Sequence, residues 1–194
     1  MSSFQKNNTY RPESALTDQD YKMLERSWIS PEIADAARIS RVTSFEGGQI
    51  IGRNGSGNYA GLIFPYVWPG ETNTRDFRLR RDSPELEHKS DGTTKERQKY
   101  LSAPGRSNLL YFPCGVDPSL LNDSRTPVIV VEGEKKALAL LRLASWNSSE
   151  PRFLSVGLSG VWNWRGTVGK EPGPNGAVRA VKGPIPDLVR ISWK

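Results

Sequence analysis

A single carboxylate, Glu132, follows an apolar run in the stretch VIVVEGEKKALALL, residues 128–141. Four β-branched residues precede it, and Gly133 and an amphipathic run rich in Ala and Leu follow it. This pattern predicts a strand that ends at Glu132 and a helix that begins directly afterwards. Ligands of open α/β sheets bind at the carboxyl ends of strands, so Glu132 is a candidate catalytic residue or metal ligand. The alternative is a structural carboxylate at a helix N-terminus, which the helix dipole stabilises by about 0.3–1 kcal/mol.

Basic side chains form a second candidate group. In TRDFRLR, residues 74–80, Arg78 and Arg80 alternate with apolar residues, so they lie on one strand face about 7 Å apart. That distance suits successive phosphates of a nucleic acid, and Lys99 beside Tyr100 adds a cation next to an aromatic ring. The alternative is a solvated outer face on which Asp76 neutralises part of the charge.

A third group lies in a Gly- and Pro-rich stretch, residues 160–187, which is too long for an ordinary connection. Aromatic residues in it could stack on bases and cations could bind phosphates, or the tryptophans could simply pack the loop onto the sheet. The nucleic-acid-binding candidates chosen from this stretch are Trp164, Arg165, Lys170 and Lys182.

The elements that must position these groups follow from local patterns. Residues 128–131 predict a parallel strand covered on both faces, residues 152–158 the next strand, and residues 188–193 a third. Upstream, two short helices begin at Thr17 and at Ser30-Pro31. A glycine-rich hairpin turn or mobile loop is expected over 46–58, and a charged loop over 82–98. Strands are expected in the segments YAGLIFPYVW, TRDFRLR and KYLS.

Composition narrows the classes of site and partner. The chain has 194 residues with one Cys and one His, which excludes an intrachain disulfide and an ordinary His/Cys zinc site but leaves Mg²⁺ possible. Its net charge is +6, and residues 135–194 alone carry 10 basic and 3 acidic side chains, or +7. This excess suits a polyanion such as nucleic acid, although it is equally consistent with ordinary solubility. We expect a cytoplasmic protein without a membrane segment.

The ordered series of segments resembles a known family. VIVVEGEKKALAL is similar to the first motif of the toprim domain, the catalytic fold of bacterial-type primases and topoisomerases. Upstream, three segments resemble, in the same order, the subdomain that precedes toprim in these primases: GLIFPYVWPGETNTRDFRLR, KYLSAPG and LLYFP. Together with SGVWNWRG and IPDL, the series is similar to a toprim-like family in replication proteins of phages, plasmids and other mobile elements. The resemblance covers roughly residues 17–194.

The resemblance implies roles for particular residues. Glu132 matches the toprim glutamate, which acts as a general acid/base or helps to hold Mg²⁺. Arg78 or Arg80, and Lys99, match basic positions of the nucleic-acid groove of primases. The family's Asp-x-Asp metal motif has no counterpart, because the acidic residues after Gly133 are Glu134, Glu150, Glu171 and Asp187. We therefore expect only a partial metal site at Glu132, in a chain truncated before that motif.

These patterns lead to one prediction of organisation and function. The chain is predicted to be α+β, with a disordered tail (1–16), a helical segment (17–58), a strand-rich primase-like subdomain (59–120) and the first half of a toprim-like α/β domain with parallel strands (121–194). It is expected to bind single-stranded DNA or RNA in mobile-element DNA replication, with a replicative helicase or the rest of a longer polypeptide as a further partner. On its own it is expected not to be catalytic. The alternatives are a binding module without catalysis and a fragment of a toprim nuclease.

Overall fold

A computed structural model describes residues 14–53 and 55–193. Most of the tail predicted over 1–16 lies outside these residues. Within them the chain forms these helices: α1 Asp18–Glu25, α2 Pro31–Ala36, α3 Ser44–Ile50, α4 Glu134–Ala144 and α5 Pro186–Val189. The strands are β1 Ser40–Val42, β2 Gly61–Val67, β3 Thr74–Arg81, β4 Glu85–His88, β5 Thr94–Arg97, β6 Tyr100–Ser102, β7 Val128–Glu132, β8 Leu154–Leu158, β9 Arg165–Pro172 and β10 Val178–Pro184. The predicted α+β class is confirmed.

The first helices begin where their capping residues predict. The Thr17 hydroxyl accepts a hydrogen bond from the Asp20 backbone N–H, and the Asp20 carboxylate accepts one from the Thr17 N–H, which forms a capping box. Helix α2 begins at Pro31, as expected from Ser30-Pro31. Both predicted helices are therefore confirmed.

The loop predicted over residues 46–58 is wrong in its first part, because helix α3 occupies Ser44–Ile50. A second capping box, between Thr43 and Glu46, starts this helix. The two glycines that suggested a loop are buried in the helix. A Cβ at Gly47 would lie 2.1 Å from the Tyr59 carbonyl oxygen, so glycine is needed here for close packing rather than for a turn.

Four antiparallel strands form the main sheet, in the order β1-β2-β3-β6. Arg78 is paired with Phe64 and Arg80 with Leu62, so both arginines share a face with fully buried apolar residues. The structure therefore does not show the alternative of a solvated outer face, because this face packs against α1, α2 and α4 through one core cluster. The opposite face, with Phe77 and Leu79, packs against residues around α3.

The strand–helix–strand unit predicted around Glu132 is confirmed, since β7 and β8 are parallel and joined by α4. Its expected burial is wrong. Strand β7 is an edge of a two-stranded sheet, and Ile129 and Val130 are 37% and 41% exposed. The helix instead packs mainly on β8, whose five residues are all buried.

The third strand predicted over 188–193 is also wrong. Pro186 starts the short helix α5, which Pro favours at its first position. The buried Asp187 carboxylate accepts two hydrogen bonds from the Arg75 guanidinium, at 2.8 and 3.0 Å, and one from the Leu110 backbone N–H. These contacts hold the segment against the main sheet, while Leu188 and Ile191 pack into the second core cluster.

Two exposed hairpins replace expected loops. The charged stretch 82–98 contains the β4–β5 hairpin, whose residues are all exposed. The Gly- and Pro-rich stretch contains the β9–β10 hairpin, which is antiparallel with a bulge between Val181 and Lys182. Within the part of the chain that the structure describes, no helix is long and apolar enough to cross a membrane.

Candidate nucleic-acid interface

A cleft of about 300 Å³ lies where the main sheet meets the start of α4. Strand β3 and strand β6 form one side, and the tip of β7, the first turn of α4 and the residue after β8 form the other. The residues that line this cleft are Arg78, Tyr100, Glu132, Gly133, Glu134, Lys135, Lys136 and Ser159. It thus brings Arg78 and Glu132, two of the residues predicted from sequence, into one site.

Glu132 lies at the strand tip, as predicted, and its side chain is exposed. It makes no hydrogen bond or ion pair with any residue that the structure describes. Gly133 follows with φ of 93°, a conformation that favours glycine, and its N–H donates to the Leu158 carbonyl at 2.7 Å. This turn leads the chain directly from β7 into α4 and leaves the Glu132 carboxylate at the mouth of the cleft.

Glu134 is the residue that sequence reasoning missed. It is only 1% exposed, and its Oε1 accepts hydrogen bonds from the Tyr66 hydroxyl at 2.5 Å and from the Arg78 guanidinium at 3.0 Å. The sequence indicated only an acid in the first turn of a helix. The one signal was Tyr66, a hydroxyl in the otherwise apolar strand GLIFPYV, which needs a partner when buried.

The environment of Tyr66 keeps its hydroxyl a donor. Burial, and then the negative charge of Glu134, raise the pKa of Tyr66 above its ordinary value. Arg106 lies over the ring at 4.8 Å and pairs with Asp76 at 2.8 Å. Glu134 is therefore fixed between a neutral hydroxyl and a guanidinium, which makes it a structural acid of the cleft wall.

Arg78 connects the wall to the cleft. Its guanidinium lies 5.1 Å from the centre of the Tyr100 ring, and its Nε is buried without a hydrogen-bond partner among the described residues. Its pairing with Glu134 uses one terminal nitrogen. Part of the charge of Arg78 is therefore committed to Glu134, and its contact with nucleic acid stays a prediction.

Two further predicted cations, Arg80 and Lys99, do not line the cleft but lie close to it. Burial, and then the positive charges of Arg80 and Lys99, lower the pKa of Lys135. Burial raises the pKa of Tyr100, and the Arg80 guanidinium opposes that rise. Lys99 itself pairs with Glu96 at 2.6 Å. Arg80 is the strand partner of Tyr100, which lines the cleft, and Lys99 directly precedes Tyr100. Cations from β3, from the residue before β6 and from α4 therefore lie around one edge of the cleft.

The hairpin residues predicted from sequence lie elsewhere. Trp164, Arg165, Lys170 and Lys182 are all exposed, and none of them lines the cleft. The Arg165 guanidinium lies 5.3 Å from the centre of the Trp164 ring, and the Lys182 ammonium donates to the Thr167 hydroxyl at 2.8 Å. The two groups of nucleic-acid-binding candidates predicted from sequence thus lie on two different parts of the fold.

The donor set of the cleft does not fit Mg²⁺. Magnesium needs several oxygen ligands, and carboxylates supply the protein's share. Here Oε1 of Glu134 is taken by Tyr66 and Arg78, which leaves Glu132 as the accessible carboxylate among several cations. No group of three or more His, Cys, Asp or Glu side chains suited to a metal occurs among the residues described. The side chains of the cleft are better suited to an anion.

Comparison with known proteins adds no family. No protein-family model matches this chain, and neither curated proteins nor solved structures give a significant match.

Proposed function

We propose that this chain binds single-stranded nucleic acid, DNA or RNA, at the cleft beside Glu132. The observation that carries the proposal is the placement of three cations around Tyr100: Lys135 lines the cleft together with Tyr100, Arg80 is the strand partner of Tyr100, and Lys99 precedes it in the chain. Like charges held together are costly, and a phosphate backbone that lies among them relieves the repulsion. Aromatic rings beside such cations provide stacking surfaces for unpaired bases.

The biological setting of the proposal comes from the sequence resemblance. Segments similar to toprim and to the preceding primase subdomain favour a role in the replication of mobile-element DNA, in the cytoplasm, with a replicative helicase as a further partner. The donor set of the cleft favours binding over chemistry, since Glu132 is the accessible carboxylate. The competing functions are a binding module whose full-length protein has no catalytic activity and a fragment of a toprim nuclease. Mg²⁺ dependence separates the nuclease from binding alone.

The test is fluorescence anisotropy of a labelled single-stranded 20-mer across a salt series. The double variant Arg80→Ala/Lys135→Ala removes two cations of the cleft edge without touching the buried pair of Arg78 and Glu134. We expect its affinity to fall about ten-fold and the slope of log K against log salt to flatten by about 1.4, from about 0.7 per lost contact. Arg78→Ala is unsuitable, because it would leave Glu134 buried without its cation.

The matched control is Lys89→Ala/Lys95→Ala, which removes two exposed lysines in or beside the β4–β5 hairpin. It should bind with nearly the wild-type slope. Equal slopes for all three proteins would contradict the proposal. A strict requirement for both Mg²⁺ and Glu132, tested with Glu132→Gln, would favour the nuclease or primase alternative and overturn the binding-only assignment.

A further inference from the structure

The β9–β10 hairpin projects from the body of the molecule. Most of its residues are exposed on both strands. It is attached near its base, where the Asn108 amide donates to the Arg165 carbonyl at 2.9 Å and the Ile185 N–H donates to the Trp164 carbonyl at 3.0 Å. A two-stranded ribbon that packs so little on the core adds little to the stability of the fold. Its presence therefore suggests a role other than packing.

The strand register separates its charges onto two faces. Lys170 is paired with Ala180, Lys182 with Thr167, and Arg165 with Pro184. Because paired residues share a face and every second residue of β10 lies on the same face, the three cations lie on one side, which we call the cationic face. The opposite face holds Arg179 and Glu171, whose charges are 3.8 Å apart and offset each other.

The spacing on the cationic face is regular. Lys170, Lys182 and Arg165 belong to the residue pairs at positions 180, 182 and 184 of β10. These positions follow one another on the same face of the strand. Such positions are about 7 Å apart, so the cations span about 14 Å of ribbon. All three side chains are exposed, and none pairs with an acid among the described residues. The other members of this face are Thr167, Pro172, Val178, Ala180 and Pro184.

The second hairpin shows that this charge is particular to one ribbon. Residues 165–184 carry four basic side chains and one acidic one, so +3, whereas residues 85–97 of the β4–β5 hairpin carry three basic and four acidic ones, so −1. Both hairpins are exposed two-stranded ribbons. Exposure alone therefore does not account for the cations of the β9–β10 hairpin.

We propose that the cationic face of the β9–β10 hairpin binds double-stranded DNA, so that the chain engages a single strand at the cleft and a DNA duplex at the hairpin. A two-stranded ribbon fits the major groove of DNA, which is about 12 Å wide. Within β9 and β10 the cationic face carries no aromatic residue, and the aromatic ring of Trp164, which precedes β9, contacts the Arg165 guanidinium. The regularly spaced charges of this face suit a phosphate backbone better than a series of unpaired bases, which need several stacking surfaces. This inference rests on the proposed function in that both sites take nucleic acid.

The test measures, by fluorescence anisotropy across a salt series, the affinity of the same chain for a labelled 20-base-pair DNA duplex and for the single-stranded 20-mer. The variant is Arg165→Ala/Lys170→Ala/Lys182→Ala. Its control is Lys89→Ala/Lys95→Ala/Arg97→Ala, which removes three cations from the other hairpin region. We expect the first variant to lose about 10- to 100-fold in duplex affinity and to flatten the duplex salt slope by about 2.7, from about 0.9 per contact. Its affinity for the single strand should change less than about three-fold.

The outcomes separate the two proposals. Loss of duplex binding by the hairpin variant, with single-strand binding retained, supports the hairpin site. Normal single-strand binding by the cleft variant Arg80→Ala/Lys135→Ala would overturn the cleft site alone and would leave the hairpin site supported. Wild-type duplex affinity in the hairpin variant, or equal loss with its control, overturns the hairpin site. The absence of salt-dependent duplex binding by the wild type also overturns the hairpin site. It does so even if sedimentation shows that the hairpin joins two copies of the chain.

Discussion

Two glutamates of the same short motif, Glu132 and Glu134, have opposite environments. The Glu132 side chain is exposed at the strand tip, whereas Glu134 is buried between Tyr66 and Arg78. The turn at Gly133 accounts for the difference, because it rotates the chain between the end of β7 and the start of α4. The motif thus supplies one carboxylate to the cleft and one to its wall.

The two glutamates should respond differently to substitution. Glu134→Ala leaves the Arg78 guanidinium buried without its carboxylate, so we expect a loss of about 3–5 kcal/mol in the free energy of unfolding. Tyr66→Phe removes one hydrogen bond to a charged group and should cost about 1.5–3 kcal/mol. Glu132→Ala, the matched control, should stay within about 0.5 kcal/mol of wild type. Urea denaturation measures all three.

A double-mutant cycle adds a sharper criterion for this network. Tyr66→Phe and Glu134→Ala each remove the hydrogen bond between the two side chains, so their effects should be non-additive by at least about 0.5 kcal/mol. Additive effects, or a Glu132→Ala variant as unstable as Glu134→Ala, would contradict the assignment of Glu134 to the cleft wall.

Helices and strands that are determined by neighbouring residues were predicted correctly from the sequence, whereas those that depend on residues distant in the chain were not. Helix α1, strands β2 and β3 and the unit β7–α4–β8 were predictable because local caps and apolar periodicity determine them. Helix α3 was not predictable, because its glycines are needed for close packing against Tyr59, which lies outside the helix. In place of the predicted third strand, the chain forms α5 at Pro186, and Asp187 holds this segment to Arg75, 112 positions earlier in the chain.

Helix α3 offers a direct test at this scale. Alanine favours a helix over glycine by about 1 kcal/mol, so Gly47→Ala would stabilise a helix free of tertiary contacts. In the structure the new Cβ would meet the Tyr59 carbonyl at 2.1 Å, so we expect a lower melting temperature instead. Gly55→Ala is the control, because its Cβ would meet only the Tyr59 hydroxyl at 3.5 Å. A Gly47→Ala variant at least as stable as wild type would contradict the packing of α3.

In the whole molecule, strand β3 holds the parts together. Arg78 binds Glu134 at the start of α4, and Arg75 binds Asp187 at the start of α5. Two core clusters likewise combine residues from both halves of the chain, for example Leu62 with Leu138 and Trp68 with Ile191. Because no local pattern reports such pairs, the sequence could indicate the residues of the cleft but not which of them would meet.

The separation of the hairpin from the cleft is also a property of the whole molecule. From sequence, seven cations and aromatic residues were predicted to bind nucleic acid, with no indication of which of them lie together: Arg78, Arg80, Lys99, Trp164, Arg165, Lys170 and Lys182. The fold divides them between an edge of the cleft and an exposed ribbon. The position of these residues in the chain does not show which of them meet in space. That depends on how the chain passes from β8 into the hairpin.

The central claim, that a single strand binds at the cleft, is tested most directly by photo-crosslinking. A single-stranded oligonucleotide that carries 5-iodouracil crosslinks to aromatic side chains in contact with its bases, and mass spectrometry of the digested protein locates them. We expect the crosslink at Tyr100, reduced in the Arg80→Ala/Lys135→Ala variant and unchanged in Lys89→Ala/Lys95→Ala. A crosslink confined to Trp162 or Trp164, with Tyr100 unlabelled, would contradict the cleft as the single-strand site.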